Sequence, residues 1–232
     1  MDNIIESKKI DVNEYENTII GKYLSIIGEG DMQKGMYRIF DACNSTIIEL
    51  NDRFIKMIRD IEALEDTNKI WPLIIEKSLA KRLNNHIPSS ILKYRSGNQG
   101  KQEKDIHCDG IGENVFIVEL SFYGLDPNDP KSYSIEVKTT YNGPSSINNS
   151  VQYAKDPEIE GGKIKKSFYI FIYYNLPNEY NDIVLRRIQF AFLTQSDWYY
   201  LKKDGTEQSH SYVKIRELRK CKKLIDIFNQ FD

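Results

Sequence analysis

The segment SFYIFIYYN, residues 167–175, constrains the fold more than any other part of the chain. It is apolar or aromatic at almost every interior position, whereas a strand with one face in water alternates apolar and polar side chains. The run therefore predicts a strand buried on both faces, as at the centre of a sheet that other layers cover.

Helical patterns come before this strand. Apolar side chains recur at steps of three and four over residues 37–64, which predicts a long helix with one face in the core. A second helix is predicted from Trp71 to about Asn84, because proline is tolerated in a first turn and Pro72 stands there.

Shorter strands are predicted around the central one. Residues 105–108, 114–123 and 132–141 are rich in β-branched and aromatic side chains and are separated by turn signals, so they favour strands in antiparallel succession. Residues 184–195 alternate in the way of a further strand. The glycine-containing stretch 93–104 is typical of a flexible basic loop.

These elements predict an α/β fold, with a central mixed β-sheet flanked by helices. We expect a single domain over residues 1–232. Its helical part occupies about 1–90, its sheet about 104–195, and an amphipathic C-terminal helix about 211–231, where Leu218, Cys221, Ile225 and Phe228 are in helical register.

Composition excludes several classes of protein. The net charge of −2 gives no overall attraction to nucleic acid, so a nucleic-acid cleft must concentrate its positive charge locally. Three scattered cysteines and three scattered histidines exclude a zinc motif and leave carboxylates as the main ligands for any metal. No run approaches the roughly 18 apolar residues of a membrane span, and the N-terminus lacks a secretory signal pattern, so we expect a cytoplasmic location.

The segment YSIEVKTTY, residues 133–141, carries the residues suited to chemistry. Because a strand alternates its side chains, Glu136 and Lys138 point the same way. A Glu oxygen binds a hard cation such as Mg²⁺, and a Lys ammonium orients or helps deprotonate an attacking water and offsets phosphorane charge. The alternative is a surface ion pair on an exposed strand, which the pattern alone does not exclude.

A phosphodiester hydrolase anchors its cation from more than one side, so a second carboxylate is expected on a neighbouring strand. Asp105 is preferred, because it opens a strand after the loop and an antiparallel hairpin returns the chain beside it. Asp109 and Glu119 are the alternatives. Glu119 lies in the apolar stretch FIVELSFYG, where an acid is expected to be paired or to face solvent.

The stretches KDI (104–106) and SIEVKTT (134–140) resemble the PD-(D/E)XK nuclease motif, with Lys in the place of the family's Pro. EVKTTY is similar to the catalytic strand of EcoRV/HincII-like type II restriction endonucleases. Over about residues 70–210 the order of motifs resembles the ScaI-type restriction enzymes. About thirty residues separate Asp105 from Glu136, where many members have a shorter hairpin, and this keeps the alternative acids open.

The resemblance implies a sequence-specific type II restriction endonuclease that hydrolyses phosphodiester bonds of double-stranded DNA. It implies that Asp105 and Glu136 bind Mg²⁺ and that Lys138 assists the water. A homodimer acting on a palindromic site is expected, because two-fold symmetry of the protein matches that of the site. Two alternatives remain: a resolvase, repair or nicking nuclease with the same core, and a non-catalytic DNA-binding module.

Further residues follow from the same resemblance and from the neighbouring sequence. Glu76 matches the place of an additional acid near the metal, although it is equally suited to a solvated helix position beside Lys77 or Lys81. DNA contacts are expected from hydroxyl, amide and ammonium groups after the catalytic strand. These groups belong to Thr139, Thr140, Asn142, Ser145, Asn148, Asn149, Gln152, Lys163, Lys165 and Lys166.

Overall fold

A computed structural model describes residues 11–60, 70–98, 103–113, 119–141, 148–150, 166–203 and 206–227. No helix within these ranges is long and apolar enough to cross a membrane.

Four helices form the N-terminal part of the described chain. They are α1 (Ile19–Ile27), α2 (Met32–Leu50), α3 (Lys56–Asp60) and α4 (Trp71–His86), with a π-helical turn at Asn51–Ile55 between α2 and α3. The long helix begins earlier than the predicted residue 37, because the Asp31 side chain accepts the N–H groups of Gln33 and Lys34 and caps α2 there. The second predicted helix is confirmed.

Among the described residues, the main sheet consists of the strands β1 (Leu92–Ser96), β2 (Ile106–Ile111), β3 (Ile135–Thr140), β5 (Ser167–Asn175), β6 (Val184–Leu193) and β9 (Leu224–Asp226). Their order in the sheet is β1-β2-β3-β5-β6-β9. β3 and β5 run parallel, and the other neighbours are antiparallel. The predicted α/β fold with a mixed central sheet is confirmed.

β5 is the central strand that its sequence predicts, since eight of its nine residues are buried. Phe168 and Ile170 join the core beneath the N-terminal helices. Tyr169 and Phe171 point to the opposite face and pack in a second cluster with Trp198. Both faces of the sheet are therefore covered.

A second sheet has the order β4-β8-β7 and consists of β4 (Asn148–Ser150), β7 (Trp198–Lys203) and β8 (Thr206–Val213). Its ends supply Trp198 and Val213 to the second cluster. Two short helices complete the described chain, α5 (Glu119–Phe122) and α6 (Ile215–Lys220).

Three local predictions are wrong. Residues 93–96 belong to β1 and not to a loop, because they pair with β2. Residues 119–122 form a helical turn inside the stretch predicted as a strand. The predicted C-terminal helix is replaced over its described part by the end of β8, by α6 and by β9. Lys222 ends α6 with a φ of 54°, and the chain then pairs with β6 at the sheet edge.

Candidate active site

Glu136 and Lys138 lie on one face of β3, as strand alternation predicts. Ile135 and Val137 occupy the opposite face and belong to the main core. The Lys138 Nζ donates to Glu136 Oε1 at 2.7 Å. The Glu136 side chain is only 2% exposed and that of Lys138 is 22% exposed. The pair is therefore mostly buried, and it is not a surface ion pair on an exposed strand.

Asp105 immediately precedes β2, beside the start of β3. Its Oδ2 accepts the backbone N–H of Val137 at 3.0 Å. Asp105 is 8% exposed, so a carboxylate from a second strand is held in a mostly buried position next to the Glu136–Lys138 pair. A side-chain oxygen replaces a strand-to-strand hydrogen bond here, since the only Cα pair between the described parts of β2 and β3 is Ile106 with Ile135.

The pKa of the Lys138 ammonium depends on its burial and on the acids around it. Burial lowers the pKa of the Lys138 ammonium, but the negative charges of Glu136, Asp105 and Glu76 together raise it above its ordinary value. Glu76 lies on α4, which packs against β3, and its charge is the weakest of the three acidic influences on Lys138. Glu136 is the acid that bonds to Lys138 directly.

The two alternative acids are placed differently. Asp109 is exposed and its Oδ2 accepts from Arg95 Nε at 2.7 Å, which ties it to β1. The backbone of Glu119 lies in α5, and its side chain is outside the described residues. Lys77, a partner considered for Glu76, donates its Nζ to the Gly97 carbonyl at 2.9 Å.

The expected DNA-contacting residues fall into two groups. Thr139 is half-buried and Thr140 is buried at the end of β3, and Lys166 is half-buried just before β5. Asn148 and Asn149 have backbone positions in β4, where they pair with Tyr212 and Ser211, but their side chains are not described. The others lie outside the described residues: Asn142, Ser145, Gln152, Lys163 and Lys165.

Two residues beside the acids were not singled out by the sequence. Tyr169 is the register partner of Glu136 in the parallel β3–β5 pair. Burial first, and then the charges of Glu136 and Asp105, raise the pKa of the Tyr169 hydroxyl well above its ordinary value. The Lys104 Nζ lies 5.9 Å from the centre of the Tyr169 ring. Strand alternation on its own gives no signal for either contact, because both depend on which strands are neighbours.

A partly exposed cluster also anchors the segment that leads into Asp105. Arg95 on β1 donates to both carboxylate oxygens of Glu103, at 2.6 and 3.0 Å. Glu103 Oε2 also accepts the N–H of Asn98 at 2.8 Å. The Gly97 N–H donates to the Asp105 carbonyl at 2.9 Å. The backbone on both sides of Asp105 is therefore fixed by hydrogen bonds.

The donor chemistry of the site suits a hard cation. Asp105 and Glu136 offer carboxylate oxygens, and no thiol or imidazole is among the groups that act on Lys138. Within the described ranges, no group of three or more His, Cys, Asp or Glu side chains is already arranged around a common metal position. A cation would therefore be held by one or two of these carboxylates together with water or phosphate oxygens, which is the usual manner for Mg²⁺.

A mixed six-stranded sheet flanked by helices, with paired acids and a lysine at neighbouring strands, defines an α/β protein consistent with the restriction-endonuclease core. Residues 124–228 match the family model described as ScaI restriction endonuclease. The chain is similar to the ScaI restriction endonuclease family over this region, which includes Glu136 and Lys138 and begins after Asp105. No curated protein and no solved structure matches the chain.

Proposed function

We propose that the protein is a type II restriction endonuclease that cleaves both strands of double-stranded DNA at a specific sequence with Mg²⁺ as its cofactor. The observation that carries the proposal is the position of two mostly buried carboxylates, Asp105 and Glu136, on neighbouring strands beside the Lys138 ammonium. Buried acids of this kind are costly unless they are paired or bind a cation.

Asp105 and Glu136 are the proposed Mg²⁺ ligands, and Glu76 is the proposed additional acid. When bound, Mg²⁺ supplies Lewis-acid stabilisation of the phosphate charge and makes water a better nucleophile. Glu136 bonds to Lys138, and Asp105 bonds to the main chain of Val137 between them, which supports the action of these two acids on one cation. Asp109 is not proposed as a ligand, because it is exposed and its carboxylate is paired with Arg95 on β1.

Lys138 is proposed to work as a donor. Its Nζ already donates to Glu136 and can donate in the same way to an attacking water and to the phosphate. It would orient the water by hydrogen bonding and offset negative charge as the water oxygen bonds to phosphorus and the bond to the leaving oxygen breaks. The water gives up its proton to solvent, and the leaving oxygen takes a proton from solvent. The 2.7 Å bond of Lys138 to Glu136 fixes the position of the lysine before DNA arrives.

DNA recognition is proposed for the polar residues that follow the catalytic strand, whose hydroxyl, amide and ammonium groups suit phosphates and base edges. A symmetric homodimer would present this set twice to a palindromic site and cut both strands. The proposed set is Thr139, Thr140, Asn142, Ser145, Asn148, Asn149, Gln152, Lys163, Lys165 and Lys166.

Digestion of plasmid DNA by the purified protein with Mg²⁺ tests the function. Discrete fragments are expected from the parent, and none from Glu136→Ala or Lys138→Ala. Lys34→Ala is the matched control, because Lys34 also pairs with a glutamate, Glu29, but does so in an exposed position on α2. A parent that remains inert with Mg²⁺ and Mn²⁺ would overturn the proposal.

The same assay separates the alternatives. A resolvase or a repair nuclease would cut branched or damaged DNA in preference to intact plasmid duplex. A nicking nuclease would cut only one strand of the duplex. A non-catalytic DNA-binding module would bind duplex DNA and leave it uncut, with Glu136→Ala unchanged. Sequencing the ends of the fragments gives the recognition site and the stagger between the two cuts.

A further inference from the structure

Lys104 lies at the edge of the acidic site described above. It directly precedes Asp105 in the chain, and its Nζ lies 5.9 Å from the centre of the Tyr169 ring. Tyr169 in turn is paired in register with Glu136. The Lys104 ammonium therefore lies over the aromatic ring that neighbours Glu136 across the β3–β5 pair.

We propose that Lys104 binds a backbone phosphate of the DNA strand that is being cut, as a second cationic group beside the acidic site. This inference rests on the proposed nuclease function and adds a phosphate-binding residue to it. No role in bond making or breaking is assigned to Lys104.

The charge balance of the site gives the first reason. Glu76, Asp105 and Glu136 bring three negative charges to the neighbourhood of Lys138, which brings one positive charge. A bound divalent cation would only neutralise the remaining two charges, whereas the DNA strand carries a negative charge at every nucleotide. An additional ammonium next to the acids gives the site a net attraction for phosphate.

The position of Lys104 above the Tyr169 ring gives the second reason. Tyr169 is completely buried, and it packs against Phe171 and Trp198, so its ring is a rigid platform. A cation above an aromatic face is attracted to it, which narrows the range of positions of a flexible lysine side chain before the ligand binds. An ammonium has three N–H donors, so it can bind a phosphate oxygen alongside the contacts that Lys104 makes within the protein.

The test uses steady-state cleavage of a duplex oligonucleotide that carries the cut site mapped from the plasmid fragments. For Lys104→Met we expect KM to rise about tenfold to a hundredfold, since a charged hydrogen bond is lost, while kcat changes little. The plot of log kcat/KM against log salt concentration should become less steep by about 0.9, the contribution of one phosphate contact. Lys104→Arg should keep the parental slope.

Lys93→Met is the matched control, because Lys93 is an exposed lysine on β1 whose register partner is Gly110. It should leave KM and the salt slope unchanged. Because Lys104→Arg keeps the positive charge, a parental slope in that variant separates the phosphate contact from a purely structural role of the lysine. Thermal unfolding of each variant identifies any that fails to fold, and Lys104→Gln then replaces Lys104→Met.

The outcomes are distinguishable. A folded Lys104→Met that cuts with the parental KM and salt slope overturns the role of Lys104 and leaves the nuclease function standing. A change in kcat alone also overturns it. A parent that does not cut DNA at all overturns both proposals together.

Discussion

The carboxylate of Asp105 accepts the backbone N–H of Val137 at 3.0 Å, so a side chain of one strand satisfies the main chain of the next. Because Val137 lies between Glu136 and Lys138 in the chain, this bond fixes the distance between the acid of one strand and the acid–lysine pair of the other. Asp105 therefore has two separable roles: its oxygen accepts the Val137 N–H, and its negative charge lies beside Glu136 and Lys138.

Substitutions of Asp105 should separate these two roles. Asp105→Asn keeps an oxygen that accepts the Val137 N–H but removes the charge, so we expect stability within about 1 kcal/mol of the parent and loss of cleavage. Asp105→Ala leaves that buried N–H unsatisfied and should cost about 1–3 kcal/mol of unfolding free energy as well. Urea denaturation and plasmid cleavage measure the two effects. If Asp105→Asn cuts DNA as fast as the parent, the negative charge of Asp105 is not needed for cleavage.

Asp109→Asn tests the choice between the acids of β2. Asp109 accepts from Arg95 and is exposed, so its charge is expected to be dispensable for cleavage. We predict a cleavage rate within about threefold of the parent, since the loss of an exposed ion pair costs under about 1 kcal/mol. A loss of cleavage comparable to that of Asp105→Asn would show that the second ligand has been assigned to the wrong residue.

Lys138→Met should make the protein depend on divalent cations for stability. Glu136 is 2% exposed and would lose its ammonium partner, which we expect to cost about 2 kcal/mol without metal. Since an unneutralised acid pair attracts cations more strongly, Mg²⁺ should raise the Tm of this variant more than that of the parent. Lys34→Met, which removes an exposed lysine paired with Glu29, should show no such difference.

The pair of Arg95 and Glu103 should contribute stability that depends on pH. The Arg95 guanidinium and the N–H of Asn98 lower the pKa of the Glu103 carboxyl from 4.5 to about 2. A carboxyl with a lowered pKa in the folded state stabilises fully above about pH 4.5, and this contribution is lost as the pH falls toward 2.

The measurement compares the parent with Glu103→Gln by chemical denaturation across this pH range. At pH 7 the variant should be less stable by about 1 kcal/mol, since the lost ion pair is partly screened by solvent at Arg95. The difference should shrink as the pH falls below 4.5. A difference that stays constant down to pH 2 would mean that the charge of Glu103 is not what stabilises this segment.

Glu76→Gln tests whether the acid on α4 acts on the same cation. Removing one negative charge near Lys138 should raise the Mg²⁺ concentration for half-maximal cleavage by about tenfold, while the rate at saturating Mg²⁺ changes less. Glu217→Gln, which removes an exposed acid paired with Lys220 on α6, is the control. If the Mg²⁺ requirement is unchanged, Glu76 does not act on the cation and is a solvated helix residue instead.

The sequence by itself determined the features that depend on local periodicity. The apolar run 167–175 determines a strand buried on both faces, because no alternative leaves so few polar groups to face water. The spacing of Glu136 and Lys138 determines that they share a face, because side chains alternate along any strand. The helix from Trp71 follows from its apolar steps and its first-turn proline.

Only the tertiary structure decided the features that depend on which segments become neighbours. Asp105 stands beside Glu136 because β2 pairs with β3 in one register, and no local pattern distinguishes that register from one that would present Asp109. Lys104 meets Tyr169 because β5 pairs in parallel with β3. The stretch predicted as a C-terminal helix ends in β9, because unpaired main-chain groups at the edge of β6 bind it there.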